Sequence, residues 1–148
     1  MKGDCNMKRF VCVVLLLCVF ATSASALSLE EFNACAYSFG VPELDAATGD
    51  VRPPYTRFVS DGCTITFSEK DGRIDTIFVE GVGDSFIPYC SCALLTLDRG
   101  DDLTDNAGNL LLLYLLSRKE EEKYTLTKTG LFMMFKLSEG IYSFSVGW

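Results

Sequence analysis

The sequence predicts an α+β domain made of two helix-plus-β-meander units, giving a six-stranded antiparallel sheet with about three helices packed on one face. Three observations carry that reading. Two stretches, YTRFVSDGCTITFSEKDGRIDTIFVEG from Tyr55 and YTLTKTGLFMMFKLSEGIYSFSVGW from Tyr124, each open on Tyr-Thr, turn twice at Gly and close near Gly. Each stretch follows a segment whose apolar residues recur at helical spacing. A two-residue Glu139-Gly140 turn pairs Leu137 with Tyr142, Phe135 with Phe144, Met133 with Val146 and Leu131 with Trp148, which puts all eight residues on one face.

The chain has 148 residues, with 13 Lys+Arg against 20 Asp+Glu, no His and 7 Cys. Its first 26 residues read as a secretory signal peptide that is removed. Met1–Arg9 carries Lys2, Lys8 and Arg9, Phe10–Ala21 is an unbroken apolar run, and Ala24-Ser25-Ala26 supplies the small residues of a cleavage site. A second, tidier start lies at Met7. The apolar run is shorter than the roughly 20 residues a membrane span needs. Acylation at Cys18 is disfavoured by the bulky Leu17 before it. No later stretch is long enough to cross a bilayer, so no membrane span is expected in the mature form. Residues 27–148 then form a single secreted domain with a pseudo-repeat over 27–80 and 84–148, either released or held in a periplasm or cell envelope. That mature chain holds 10 basic and 19 acidic side chains, a net of −9. Such an acidic chain is a poor match for phosphate backbones, which argues against a nucleic-acid partner. The lack of His excludes Ser-His-Asp and Cys-His catalysis and His-ligated metals.

Leu27–Phe39 reads as the first helix. Ser28 caps it, Glu30 and Glu31 sit in the first turn where the helix dipole favours anions, and Leu29, Phe32, Ala36 and Phe39 form the stripe. Gly40 ends it and Pro42 prevents its return. Glu43–Pro54 is a polar connector expected to be irregular. Tyr55–Glu80 gives three strands joined at Asp61-Gly62 and Asp71-Gly72, both hairpin signals. The Asp71-Gly72 turn pairs Phe67 with Thr76 and Ile65 with Phe78. Cys63, Ile65, Phe67, Ile74 and Phe78 would then face the core, with Thr64, Thr66, Ser68, Asp75, Ile77 and Val79 opposite.

Asp84–Leu97 reads as the second helix, capped by Asp84 or Ser85, with Pro88 in the first turn and Ile87, Cys90, Leu94 and Leu97 as its stripe. The acidic loop Asp98–Asp105 leads to a third helix over Asn106–Glu122. Its Leu110–Leu116 run lacks β-branched residues and should be buried. Lys123–Trp148 supplies the last three strands, turning at Thr129-Gly130 and Glu139-Gly140. This tandem layout resembles that of secreted β-lactamase-inhibitor-protein-like domains and related small envelope domains over most of the mature chain, and the resemblance carries no residue roles across.

Cys5, Cys12 and Cys18 leave with the signal, and Cys35, Cys63, Cys90 and Cys92 remain. An exported chain with four cysteines is expected to hold two disulfides, in one of three connectivities. A Cys90–Cys92 bridge would be a small strained ring. Cys90 lies on the core stripe and Cys92 roughly 200° round the helix. A core-facing Cys63 therefore suits Cys90, which leaves Cys35 for Cys92. Neither a redox C-x-C with a lowered thiol pKa nor a C-x-x-C zinc site is indicated.

No diagnostic catalytic or cofactor motif stands out, and neither a cofactor nor a metal is expected. Asp98, Asp101, Asp102 and Asp105 miss the EF-hand spacing at Leu103. Arg99-Gly100-Asp101 is a cell-adhesion tripeptide short enough to arise by chance, and the Arg118–Lys123 charge run reads as a solvated helix end. The expected function is a non-enzymatic binding module that engages a protein partner through the open sheet face. There Phe132 and Met134 would stand out as large apolar groups, near Ile77, Val79 and Lys136. The alternative is a small exported hydrolase using carboxylates such as Asp75, Asp98, Asp101 or Asp102 without His.

Overall fold

The computed structural model describes residues 29–97, 122–125 and 131–148. Its strands are β1 (Asp50–Arg52), β2 (Tyr55–Ser60), β3 (Cys63–Lys70), β4 (Arg73–Gly81), β5 (Glu122–Thr125), β6 (Phe132–Ser138) and β7 (Ile141–Gly147). They form one antiparallel sheet in the order β1-β2-β3-β4-β7-β6-β5. Two helices, α1 over residues 29–39 and α2 (Phe86–Leu97), complete the described α+β fold. Each meander contributes its last strand to a central seam, where β4 pairs with β7.

The six expected strands form, and a short seventh, β1, is added at the edge of β2. The connector Glu43–Pro54 is not wholly irregular: it holds a 3-10 turn at Ala46–Thr48 and the short strand β1, which pairs with the otherwise open edge of β2. Two helices are described rather than about three. The third expected helix, the acidic loop before it and the Thr129-Gly130 turn lie outside the described residues. Glu122, expected to end that helix, opens β5 instead.

The local signals for α1 and the tight turns act as the chemistry dictates. At the end of α1, Gly40 N–H donates to Tyr37 C=O at 3.1 Å and Val41 N–H to Ala36 C=O at 3.0 Å, a Schellman closure around Gly40 at φ +71°. Val41, just beyond it, is buried. Asn33 holds the returning chain from both sides: its Nδ2 donates to Leu44 C=O and its Oδ1 accepts from Leu44 N–H, each at 2.8 Å. Phe32 and Ala36 are fully buried, whereas Phe39, expected on the same stripe, is exposed at the helix end. The pairs Asp61-Gly62, Asp71-Gly72 and Glu139-Gly140 all take positive φ, as two-residue hairpin loops with a right-handed twist require.

The β3–β4 hairpin departs from the expected register. Lys70 pairs with Arg73 and Glu69 with Ile74, but the register then shifts, so that Ser68 pairs with Thr76, Phe67 with Ile77 and Ile65 with Val79. Asp75 is the extra residue of a bulge. Because side chains alternate along a strand, one inserted residue exchanges the two faces of everything beyond it. Ile77 and Val79, expected on the open face, are completely buried, and Phe78, expected in the core, is on the open face. In the β6–β7 hairpin the expected pairs Leu137–Tyr142, Phe135–Phe144 and Met133–Val146 are found. Trp148, expected on the covered face, lies past the end of β7 and is exposed.

α2 packs across β4 and β7. Ser85 precedes it, accepting at its C=O from Tyr89 N–H at 3.1 Å and donating its hydroxyl to the Asp61 carboxylate, which anchors the helix start to the β2–β3 turn. The buried surface of α2 is wider than the expected stripe: Phe86, Tyr89, Cys92 and Ala93 are enclosed along with Cys90, Leu94 and Leu97, and Ile87 is half-buried. The Phe86 ring meets Phe135 at 5.8 Å and Tyr142 at 5.6 Å. The Phe32 ring stacks on Tyr89 at 6.2 Å and meets Phe67 edge-on at 5.3 Å. One continuous core therefore runs beneath both helices.

The bulge makes a sharp prediction. Ile77→Ala should destabilise the fold by about 2–5 kcal/mol through loss of a packed core side chain, while Phe78→Thr should cost roughly 1 kcal/mol or less. Urea denaturation of the two variants reads the difference, and the opposite ranking would restore the unbulged register.

Candidate functional site

The sheet face away from the helices is built by alternation along the strands. One rung across it reads Arg57, Thr66, Phe78, Ser145 and Met134. The next reads Val59, Thr64, Glu80, Ser143 and Lys136, and Phe132 lies opposite Gly147 on the other side. Phe132 is 58 % exposed and Val59 75 %, while Met134 and Phe78 form the apolar middle. A shallow hollow of about 150 Å³ opens there between Phe78, Glu80, Met134, Lys136, Ser143 and Ser145.

The structure brings Phe132, Met134 and Lys136 together on this face. It removes Ile77 and Val79 from it, since both are sealed in the core by the β4 bulge. Phe78 takes their place and was missed from sequence. A signal for it was present: Ile74, Ile77 and Val79 cannot all face inward on a regular strand, because the step from Ile74 to Ile77 breaks the two-residue period.

A larger groove of about 1050 Å³ lies between α1, the segment 43–46 and the adjoining strands. Leu44, Phe58, Phe67 and Ile74 give it apolar walls, and Glu30, Glu43, Asp45 and Glu69 bring carboxylates to it. Asp45 Oδ1 accepts from Ala47 N–H at 2.9 Å, capping the 3-10 turn. The sequence marks Glu30 only as a first-turn acid of α1, and none of the four as a site residue. Of the carboxylates that were, Asp75 sits in the β4 bulge away from this groove, with its Oδ1 buried and without a hydrogen-bond partner among the described residues. Asp98, Asp101, Asp102 and Asp105, and with them Arg99-Gly100-Asp101, lie outside the described residues.

The four cysteines gather around α2, and the two disulfides expected from the sequence, Cys35–Cys92 and Cys63–Cys90, are not formed in this structure: all four carry free thiols. Cys63, Cys90 and Cys92 are buried and Cys35 is half-buried. Burial pushes every one of these thiols up: Cys90 well above its ordinary value, Cys92 to about 12, and Cys35 and Cys63 upward with help from the nearby Glu31 and Asp61 carboxylates. Next to desolvation, Cys63 and Cys92 act on Cys90, and Cys35 acts on Cys92. Such thiols are poor nucleophiles near neutral pH. Among the described residues no group of three or more Cys, Asp or Glu side chains has the arrangement of a metal site. Tyr89 stands in the same region. Its hydroxyl donates to Pro42 C=O at 2.9 Å and shares a 2.8 Å hydrogen bond with Ser60 Oγ, and burial raises its pKa.

No protein-family model, curated protein or solved structure matches the chain.

The thiols predict a pH dependence. Their folded-state pKa values lie above the ordinary 9.0, so the unfolded chain loses these protons first. In the reduced protein the associated stability is present below about pH 9 and is lost as pH rises, by about 1.4 kcal/mol per pH unit for each thiol that ionises only on unfolding. Urea melts of reduced protein between pH 8 and 10.5 should show that decline, and a flat profile would mean the thiols are not enclosed.

Proposed function

We propose that the protein is an exported, non-enzymatic binding module that engages a protein partner through the uncovered face of its sheet. The observation that carries the reading is the apolar group formed by Phe78 on β4 and Met134 and Phe132 on β6, facing one another across β7 opposite the helices, with Lys136 next along β6 and Arg57 two strands beyond Phe78. An apolar centre with a polar and charged surround is the pattern of a contact surface rather than of a solvated one. The rung residues between these groups are Ser and Thr, small enough to leave the apolar side chains standing proud of the sheet. None of the three large groups is needed to close the core, which is filled from the other face.

The test is capture of partners from the protein's own secretory compartment by wild type and by a Phe132→Thr/Met134→Thr double variant, with Phe78→Thr as a third arm. Because these side chains lie on the open face, the variants should melt within a few degrees of wild type while the captured species is lost. Retention of the same species at the same yield by the double variant overturns the reading.

A second reading, a hydrolase that works with carboxylates in place of His, has one observation in its favour: four acids line the large groove. If it holds, the purified protein cleaves a chromogenic glycoside, and Glu43→Gln/Glu69→Gln removes that activity at least a hundredfold. No cleavage above buffer across a broad glycoside panel removes it.

A further inference from the structure

Helix α2 carries two cysteines on different flanks, and each has a cysteine from a different element beside it. On one flank, the Phe32 ring of α1 stacks on the Tyr89 ring of α2 at 6.2 Å. The same three-residue step leads from Phe32 to Cys35 and from Tyr89 to Cys92, a little under one turn of about 3.6 residues. Cys35 and Cys92 thus each stand one step from the stacked rings, and the Cys92 thiol feels Cys35 as its electrostatic neighbour. On the other flank, β3 begins at Cys63, opposite Ser60. Ser60 Oγ bonds the Tyr89 hydroxyl at 2.8 Å, which sets the start of β3 beneath the turn of α2 that contains Cys90. Gly81 on β4 makes room there, since a Cβ at that position would come within 2.9 Å of Cys63 Sγ. Cys63 and Cys90 both face into the core, at 1 % and 0 % exposure. Cys90 and Cys92 lie roughly 200° round one helix from each other, on opposite sides, and are ill placed to join each other.

We propose that the four thiols close as two disulfides, Cys35–Cys92 and Cys63–Cys90, which fasten α2 to α1 on one flank and to β3 on the other, and that only the Cys35–Cys92 bridge is open to reductants in the folded protein. Each bridge forms while the chain is folding, before the core encloses its sulfurs, by thiol–disulfide exchange with an oxidised dithiol carrier, a protein disulfide. One thiolate attacks the carrier to give a mixed disulfide, and the second thiolate displaces the carrier's remaining sulfur. The new S–S bond costs the pair two protons and two electrons, and the carrier leaves as its dithiol. The asymmetry follows from access. Cys35 is half-buried, so an attacking thiolate reaches its sulfur from solvent, whereas both sulfurs of the other pair are enclosed.

The experiment is mass mapping of the full chain purified from a secreting host, digested without reduction, followed by limited reduction of the native protein at neutral pH with iodoacetamide trapping. The expected map shows a Cys35 peptide linked to a Cys92 peptide and a Cys63 peptide linked to a Cys90 peptide, with cleavage between Cys90 and Cys92 at Ser91 or by partial acid hydrolysis. Under mild reductant, Cys35 and Cys92 should be alkylated at least tenfold faster than Cys63 and Cys90. Four free thiols, any other linkage, or equal alkylation rates overturn the proposal. The readout does not involve the open sheet face, so its outcome is independent of partner capture.

Discussion

Helix α2 lies across the seam where β4 pairs with β7, and this placement lets one helix close the core from both halves of the sheet. A three-stranded meander alone has too little apolar surface to stand in water. Here Phe86 reaches Phe135 and Tyr142 in the second meander, while Tyr89 reaches Phe32 of α1 and, through its hydroxyl, Ser60 of β2 and the Pro42 carbonyl. The helix is hemmed in around most of its circumference, which is why Ser91 and Thr96 are buried as well. Both hydroxyls turn back to the helix's own carbonyls, Ser91 to Ile87 at 3.0 Å and Thr96 to Cys92 at 2.8 Å, and so avoid unsatisfied buried donors.

The second constraint is the bulge in β4. Without Asp75 as an extra residue, Ile77 and Val79 would face water and Phe78 would crowd the core beneath α2. The bulge lets the strand bury Ile74, Ile77 and Val79 together, and as a consequence it sets an aromatic ring in the middle of the open face. The contact surface proposed for this protein is therefore partly a by-product of core packing: Phe78 is outside because its two neighbours are inside.

Much of this was legible in the sequence. The Asp-Gly and Glu-Gly turns, the Gly40 helix end and the β6–β7 pairs follow from short-range rules, because a two-residue loop fixes register at once. The open-face positions of Phe132 and Met134 follow from that register. What was not legible depends on balances between distant parts. The bulge is a choice between two registers that the Asp71-Gly72 turn permits equally, settled by the packing of Ile77 and Val79 under a helix that comes later in the chain. Strand β1 forms because β2 offers an edge, not because Asp-Val-Arg favours a strand. Phe39 and Trp148 have the right spacing for their stripes but lie at element ends, where the cover stops. The groove acids Glu30, Glu43, Asp45 and Glu69 come from three separate segments, α1, the stretch 43–46 and β3, which no sequence spacing joins.

The cysteines show how the same geometry governs chemistry. Cys90 and Cys92 sit on opposite flanks of one helix, and the proposed pairing gives each a partner from a different element, β3 for Cys90 and α1 for Cys92. The central claim, that α2 and the β4–β7 seam form one cooperative unit, is tested most directly by native-state hydrogen exchange. If it is right, the amides of Cys90, Ala93 and Leu94 exchange with the same free energy as those of Ile77, Val79, Phe144 and Val146, equal to that of global unfolding. An α2 whose amides open several kcal/mol below the seam strands, while the sheet stays protected, would contradict it.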